Sequence, residues 1–100
     1  MTSEFNVKIC KLDKLNRIKV TGLIEDGCWV ALVREGEDVV IRRLDGNIVA
    51  VKRVEGNAIR LTKSEAVRLI EELGLDNSRY LALVDVGDKI LIKKPTIVGW

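Results

Sequence analysis

Trp29-Val-Ala-Leu-Val-Arg-Glu-Gly-Glu-Asp-Val-Val-Ile-Arg-Arg43 lies in register, without a gap, over Tyr80-Leu-Ala-Leu-Val-Asp-Val-Gly-Asp-Lys-Ile-Leu-Ile-Lys-Lys94. The offset is a constant 51 residues, and five of the fifteen positions are identical: Ala31/Ala82, Leu32/Leu83, Val33/Val84, Gly36/Gly87 and Ile41/Ile92. An aromatic residue opens each copy and two cations close it. Each copy is two β-branched runs around a Gly-centred turn, the pattern of a β-hairpin. Upstream, Ile18-Lys19-Val20-Thr21 matches Ile59-Arg60-Leu61-Thr62 at an offset of 41. The ten-residue difference falls after Thr21, where Gly22-Leu23-Ile24-Glu25-Asp26-Gly27 stands in place of a longer connector. The matching order of elements argues for an internal duplication, with repeat one at about 7–44 and repeat two at about 48–94 of a single domain.

Around these hairpins the alternation predicts further short strands, about eight in all: 7–12, 17–21, 28–34, 38–43, 47–54 after the Asp45-Gly46 turn, 58–61, 80–84 and 89–94. One segment departs from this pattern. Thr62-Lys63-Ser64-Glu65 reads as a capping box, Ala66, Ile70 and Leu73 recur at helical spacing, and Gly74 can end the helix. One helix is expected at about 64–73. Two ββαβ-like repeats would leave free sheet edges unless they interleave, so the expected fold is mainly β: a small closed barrel with a pseudo-two-fold axis. In it Val7, Ile9, Ile18 and Val20 would face inward, and Trp29 and Tyr80 would plug the interior.

Composition narrows the chemistry. Across 100 residues, 47% are hydrophobic, enough to exclude disorder, while 4% aromatics and one Pro require an aliphatic core. The chain has no His and no Gln. That removes the commonest general base, the commonest metal ligand and every Ser-His or Cys-His pair, so no enzyme activity, metal or cofactor is expected. Asp85 and Asp88 around Gly87, and Glu35 and Glu37 around Gly36, read as turn chemistry before catalytic pairs. A high Lys, Arg and Glu content hints at heat adaptation. Cys10 and Cys28 form no CxxC motif; they are either free thiols or a pair, should their strands be neighbours. The N-terminus lacks a secretory pattern and no run is long enough for a membrane helix, so a cytoplasmic protein without membrane contact is expected. Trp100 is either a packed end or an anchor for a partner.

The stretch Val54-Glu55-Gly56-Asn57-Ala58-Ile59-Arg60-Leu61-Thr62-Lys63-Ser64-Glu65, then Leu73-Gly74-Leu75 and Tyr80-Leu-Ala-Leu, resembles an AbrB-type swapped-hairpin domain. The Gly-Asn…Arg-Leu-x-Lys portion is especially similar to the MazE and VapB antitoxin version, with Asp13-Lys14-Leu15-Asn16-Arg17-Ile18-Lys19-Val20 as a degenerate first copy. The resemblance covers about residues 48–94 well. It implies a bacterial or archaeal DNA-binding transcription regulator of the cradle-loop barrel group, here as a fused, archaeal-type two-repeat form. Such a chain would be a pseudo-dimer within itself or a homodimer. Thr62 stands where the family usually has Pro, the first repeat lacks the helix, and the chain shows no long antitoxin tail after Lys94. These departures favour a regulator over an antitoxin.

A net charge of +2 announces no partner by itself, but residues 7–20 carry Lys8, Lys11, Lys14, Arg17 and Lys19 against Asp13 alone. Cations so placed can meet phosphates. Lys8, Arg17 and Lys19 are expected to share an outer face, with Lys52, Arg53 and Arg60 in comparable positions of the second copy. The resemblance places Asn57 and Arg60, with Asn16 and Arg17 as first-copy counterparts, where such domains contact DNA. Arg offers a planar fork to guanine or phosphate, and Asn a donor–acceptor pair suited to adenine. The expected duplex-DNA set is therefore Lys8, Asn16, Arg17, Lys19, Lys52, Asn57 and Arg60. Arg42-Arg43 and Lys93-Lys94 read as edge-strand gatekeepers. The alternative function is a protein-interaction or scaffold barrel that has lost DNA binding.

Overall fold

Alternation around Gly36, whose φ of 63° suits a residue without Cβ, closes β3 (Trp29–Glu35) onto β4 (Asp38–Arg43), and Gly87 does the same for β7 (Tyr80–Asp85) and β8 (Lys89–Lys93). The structure, a computed structural model, describes residues 6–43 and 52–95. It adds β1 (Asn6–Lys11), β2 (Arg17–Lys19), β5 (Lys52–Arg53), β6 (Ala58–Arg60) and one helix, α1 (Lys63–Leu73). The protein is therefore mainly β with a single helix among the described residues. The Asp45-Gly46 turn, most of the expected strand 47–54 and Trp100 lie outside the described residues. No helix among the described residues is long and apolar enough to cross a membrane.

The strands do not close into one eight-stranded barrel. They form an antiparallel six-stranded sheet, β1-β7-β8-β4-β3-β5, curled into a half-barrel, and a separate two-stranded ribbon, β2-β6. The ribbon ends explain the break. Asp13 Oδ1 accepts the N–H groups of Leu15 and Arg17, both at 2.9 Å, and Asp26 Oδ1 accepts the Asn57 N–H at 2.9 Å. Side-chain carboxylates thus satisfy backbone donors that a continuous ladder would have used.

Pairing is symmetric about two points. In the ribbon Ile18 pairs with Ile59, and in the sheet Val40 pairs with Leu91. Each pair unites residues that correspond between the two halves of the chain, so a pseudo-two-fold axis runs from the ribbon through the middle of the sheet. Flanking bonds obey the same axis. Val20 N–H donates to Asn57 O at 2.8 Å and Leu61 N–H to Asn16 O at 2.8 Å; Leu12 N–H donates to Arg79 O and Val54 N–H to Cys28 O, both at 2.9 Å. Lys11 Nζ stands 5.8 Å from the Tyr80 ring centre, and the Arg53 guanidinium 5.9 Å from that of Trp29.

The core lies between the concave sheet and the ribbon. Leu12, Val30, Ile41, Leu81, Leu83 and Ile92 line the sheet side, Ile18, Ile59 and Leu61 the ribbon side, and Ala66 and Leu69 of α1 close it. Two expectations about facing are overturned. Val7 and Ile9 point outward, 60% and 55% exposed, because the fully buried Leu12 forces Cys10 and Lys8 onto its own side of the pleat. Trp29 and Tyr80 are likewise outward, 49% and 47% exposed, since their neighbours Val30 and Leu81 take the core positions. They plug nothing. The cations Arg42 and Lys93 are not edge gatekeepers, because β4 and β8 are central strands. Arg42 pairs with Glu35, as Lys89 does at 2.9 Å, and Lys93 pairs with Asp38 at 3.1 Å. Cys10 and Cys28 are both free thiols.

Helix α1 starts and stops where its sequence requires. Thr62 Oγ1 accepts the Glu65 N–H at 3.2 Å, and Glu65 Oε1 accepts the Thr62 N–H at 2.8 Å. At the other end Gly74, with φ 64°, bonds back to Glu71, and Leu75 N–H reaches Ile70 O at 3.0 Å, a Schellman closure. Glu65 does double duty, because Lys52 Nζ of β5 also reaches its Oε1 at 2.6 Å. The capping box therefore ties the helix to the sheet.

This arrangement makes a pH prediction. Partial burial alone would raise the Glu65 carboxyl, but the bonds from Lys52 and from the Thr62 N–H and hydroxyl outweigh it and hold it below its ordinary value. Glu35 is also lowered, chiefly by its hydrogen bond from Lys89. A carboxyl depressed by folding stabilises fully above its unfolded value, near 4, and that contribution fades as pH falls through the lower folded value. Stability should thus stay flat from pH 8 to about 5, with no histidine step, and decline from about pH 4 downward. Denaturant midpoints at pH 7, 4 and 2.5 test this, and Glu65→Gln should flatten part of the acid limb. A midpoint that falls between pH 7 and 5 contradicts it.

Candidate nucleic-acid interface

The ribbon β2-β6 presents a narrow outward face. Strand alternation sends Ile18 and Ile59 into the core, so Arg17 and Lys19 of β2 and Arg60 of β6 turn to solvent. Arg17 pairs across the ribbon with Arg60. Ladder alternation makes this a non-hydrogen-bonded pair, the closer kind, with Cβ atoms about 4.5–5.5 Å apart. Two like charges directly opposite one another are destabilising. Asp13 answers one of them: its Oδ2 accepts from Arg17 Nε at 2.8 Å. Burial tends to raise the Asp13 carboxyl, but hydrogen bonds from Arg17 and the Leu15 N–H hold it below its usual range. Arg60 and Lys19 make no ion pair among the described residues.

The other expected site residues are distributed differently. Asn16 and Asn57 occupy matching left-handed positions, both with φ 60°, at the two ends of the ribbon. The Asn16 amide is turned to the interior, its Oδ1 accepting from Arg79 Nη2 at 2.7 Å. Arg79 itself has φ 60°, and its buried Nε finds no partner among the described residues. Asn57 is exposed. Lys52 is 16% exposed and held by Glu65 beneath the helix, away from the ribbon face. Lys8 lies on the core side of β1 and donates to Thr21 O at 2.9 Å. It does not share a face with Arg17 and Lys19, for the reason of pleat register given above.

The pairing follows the offset of 41 read from the sequence, not the correspondence that the family resemblance implied. Because Ile18 and Ile59 are the equivalent pair, the pseudo-dyad mate of Arg60 is Lys19, and that of Arg17 is Ala58. Arg17 is the cross-strand neighbour of Arg60, not its counterpart.

Beside the Arg17–Arg60 pair lies a shallow groove of about 430 Å³, lined by Lys14, Leu15, Asn16, Arg60, Thr62 and Lys63. Lys14 and Lys63 were not among the expected site residues. Lys14 belongs to the basic run 7–20, which is the signal for it, whereas Lys63 stands in the capping box and carries no such signal. Neither makes an ion pair among the described residues. The groove offers cations and no nucleophile–base pair, and among the described residues no group of three His, Cys, Asp or Glu side chains could hold a metal. Two of the acidic residues at the hairpin turns hold structural contacts: Asp85 Oδ1 accepts the Gly87 N–H at 2.9 Å, and Glu35 pairs with Arg42 and Lys89. Compared with known proteins, the chain matches no protein family, no curated protein and no solved structure.

Proposed function

We propose that this protein is a DNA-binding regulator of AbrB type that docks its β2-β6 ribbon on duplex DNA. The observation that carries this reading is the Arg17–Arg60 pair. Arg17, answered by Asp13, faces Arg60 across an exposed ribbon, and Arg60, Lys14 and Lys63 make no ion pair among the described residues. A polyanion would supply the counter-charge that this face lacks. An antiparallel ribbon fits a major groove about 12 Å wide, where Arg forks can meet guanine edges or phosphates. Further support comes from the Gly-Asn…Arg-Leu-x-Lys resemblance, whose Asn57 and Arg60 fall on this ribbon. The symmetric registers and the matched cation–ring pairs support a duplicated origin for the two halves, which makes one chain the equivalent of a dimer.

If four or five cations neutralise phosphates, log K should fall with log salt at a slope of about −4. Raising KCl from 50 to 200 mM should then weaken binding about 10²-fold. Fluorescence anisotropy with a labelled 24-base-pair duplex measures this. No binding at the lower salt, or binding indifferent to salt, rejects the proposal. A second reading, a protein-interaction module, is favoured by the exposed Val7, Ile9, Trp29 and Tyr80 on the outer sheet face. It gains if the duplex fails to bind and Val7→Ser/Ile9→Ser changes the oligomeric state.

A further inference from the structure

The two ends of the ribbon are geometric mates but electrostatic opposites. The groove at the Arg60 end is lined by Lys14, Arg60 and Lys63. At the other end the mates of those three cations are Glu55, Lys19 and Gly22, and the groove that lies there, about 480 Å³, is lined by Gly22, Leu23, Ile24, Glu25, Asp26 and Asn57. The connector causes the difference. In the second half the chain enters α1 at Thr62-Lys63, while in the first half the matching residues Thr21-Gly22 lead into Glu25-Asp26. The turns repeat the contrast, since Asp13-Lys14-Leu15 stands at the basic end and Glu55-Gly56 at the other. Asp13 is already spent on Arg17, so Lys14, Arg60 and Lys63 at the basic end make no ion pair among the described residues. At the opposite end Glu55 stands where the basic end has Lys14, Glu25 and Asp26 line the groove, and Asp26 accepts the Asn57 N–H.

We propose that the ribbon engages duplex DNA by its Arg60 end alone, so that the preferred site is an asymmetric half-site and not a palindrome. This deepens the DNA-binding reading and rests on it. A two-fold protein selects a two-fold operator only when both halves touch the duplex. Here the acidic end repels phosphates, and unscreened repulsion acts within about 8 Å at physiological salt. Backbone symmetry is retained while functional symmetry is lost.

The pseudo-dyad mates Arg60 and Lys19 provide the test. If both ends bind alike, Arg60→Ala and Lys19→Ala should cost the same, and Arg60→Lys, which makes the mates chemically identical, should leave them equal. One-ended docking predicts at least a tenfold loss for Arg60→Ala and less than a twofold change for Lys19→Ala, which stands at the other end, on the 24-base-pair duplex. Lys14→Ala and Lys63→Ala should each flatten the salt slope by about 1. Glu25→Lys, at the end held off the duplex, should leave affinity and slope unchanged. Equal losses at Arg60 and Lys19, or a Glu25→Lys variant that binds fivefold tighter with a steeper slope, would overturn one-ended docking. Wild-type protein that shows no salt-dependent binding would instead overturn the DNA-binding reading itself.

Discussion

Replacing Arg60 with alanine is expected to weaken binding to duplex DNA by about 1–3 kcal/mol while leaving the fold equally stable or slightly more so. The two halves of this expectation have separate causes. Arg60 is exposed, makes no ion pair among the described residues and stands opposite Arg17, so its removal relieves like-charge repulsion and breaks no bond. In contact with DNA, its guanidinium would meet a phosphate or a guanine edge bidentately, which a truncated side chain cannot replace. Arg60→Lys separates charge from geometry: it should restore most affinity for mixed-sequence DNA but little sequence preference. Thermal melts and anisotropy titrations on the same samples decide the matter. A variant that loses stability, or that binds as the parent does, removes Arg60 from the interface.

The largest loss of stability is expected at the centre of the ribbon. Ile59→Ala should cost about 2–5 kcal/mol, and Ile18→Ala the same range, because each side chain is 0–1% exposed and fills the space between ribbon and sheet. Domains of this size have about 5–15 kcal/mol in total, and each kcal/mol moves the midpoint by about 4–8 °C. Either variant should therefore melt about 8 °C lower or more. Ile59→Val removes one methyl group and should cost about 0.5–1.5 kcal/mol. Because Ile18 and Ile59 are direct neighbours, the double variant should deviate from additivity. A melting point unchanged by Ile59→Ala would mean that the ribbon does not cover the core.

Local signals carried most of the secondary structure. The Gly36 and Gly87 hairpins and the capped helix lie where alternation, turn chemistry and the Thr62–Glu65 box place them, since each depends on contacts within a few residues. Facing was harder to read. Residues 7–12 alternate Val, Ile and Lys11 on one face with Lys8, Cys10 and Leu12 on the other, so both faces carry apolar groups and period two alone cannot choose. Leu12 decides, through burial against residues far along the chain. The same limit applies to the site. Nothing near Lys52 announces that Glu65 will claim it, nor near Asn16 that Arg79, 63 residues on, will hold its amide. The kinds of side chain at the ribbon were legible, but which cations stay free depends on long-range partners.

The interleaved pairing also sets how this chain must fold. Among the described residues, only the β3–β4 and β7–β8 hairpins join neighbouring segments; the other ladders join the first half of the chain to the second, as far apart as Asn6 and Asp85. Loop closure over such spans comes before the contacts that reward it, which places folding in the slow, high-contact-order regime of milliseconds to seconds. On the ribosome, β1, β2 and β4 must wait with unpaired edges until β6, β7 and β8 have been made. The Lys residues of β1 then have a second use, keeping an unfinished edge from pairing with the wrong chain.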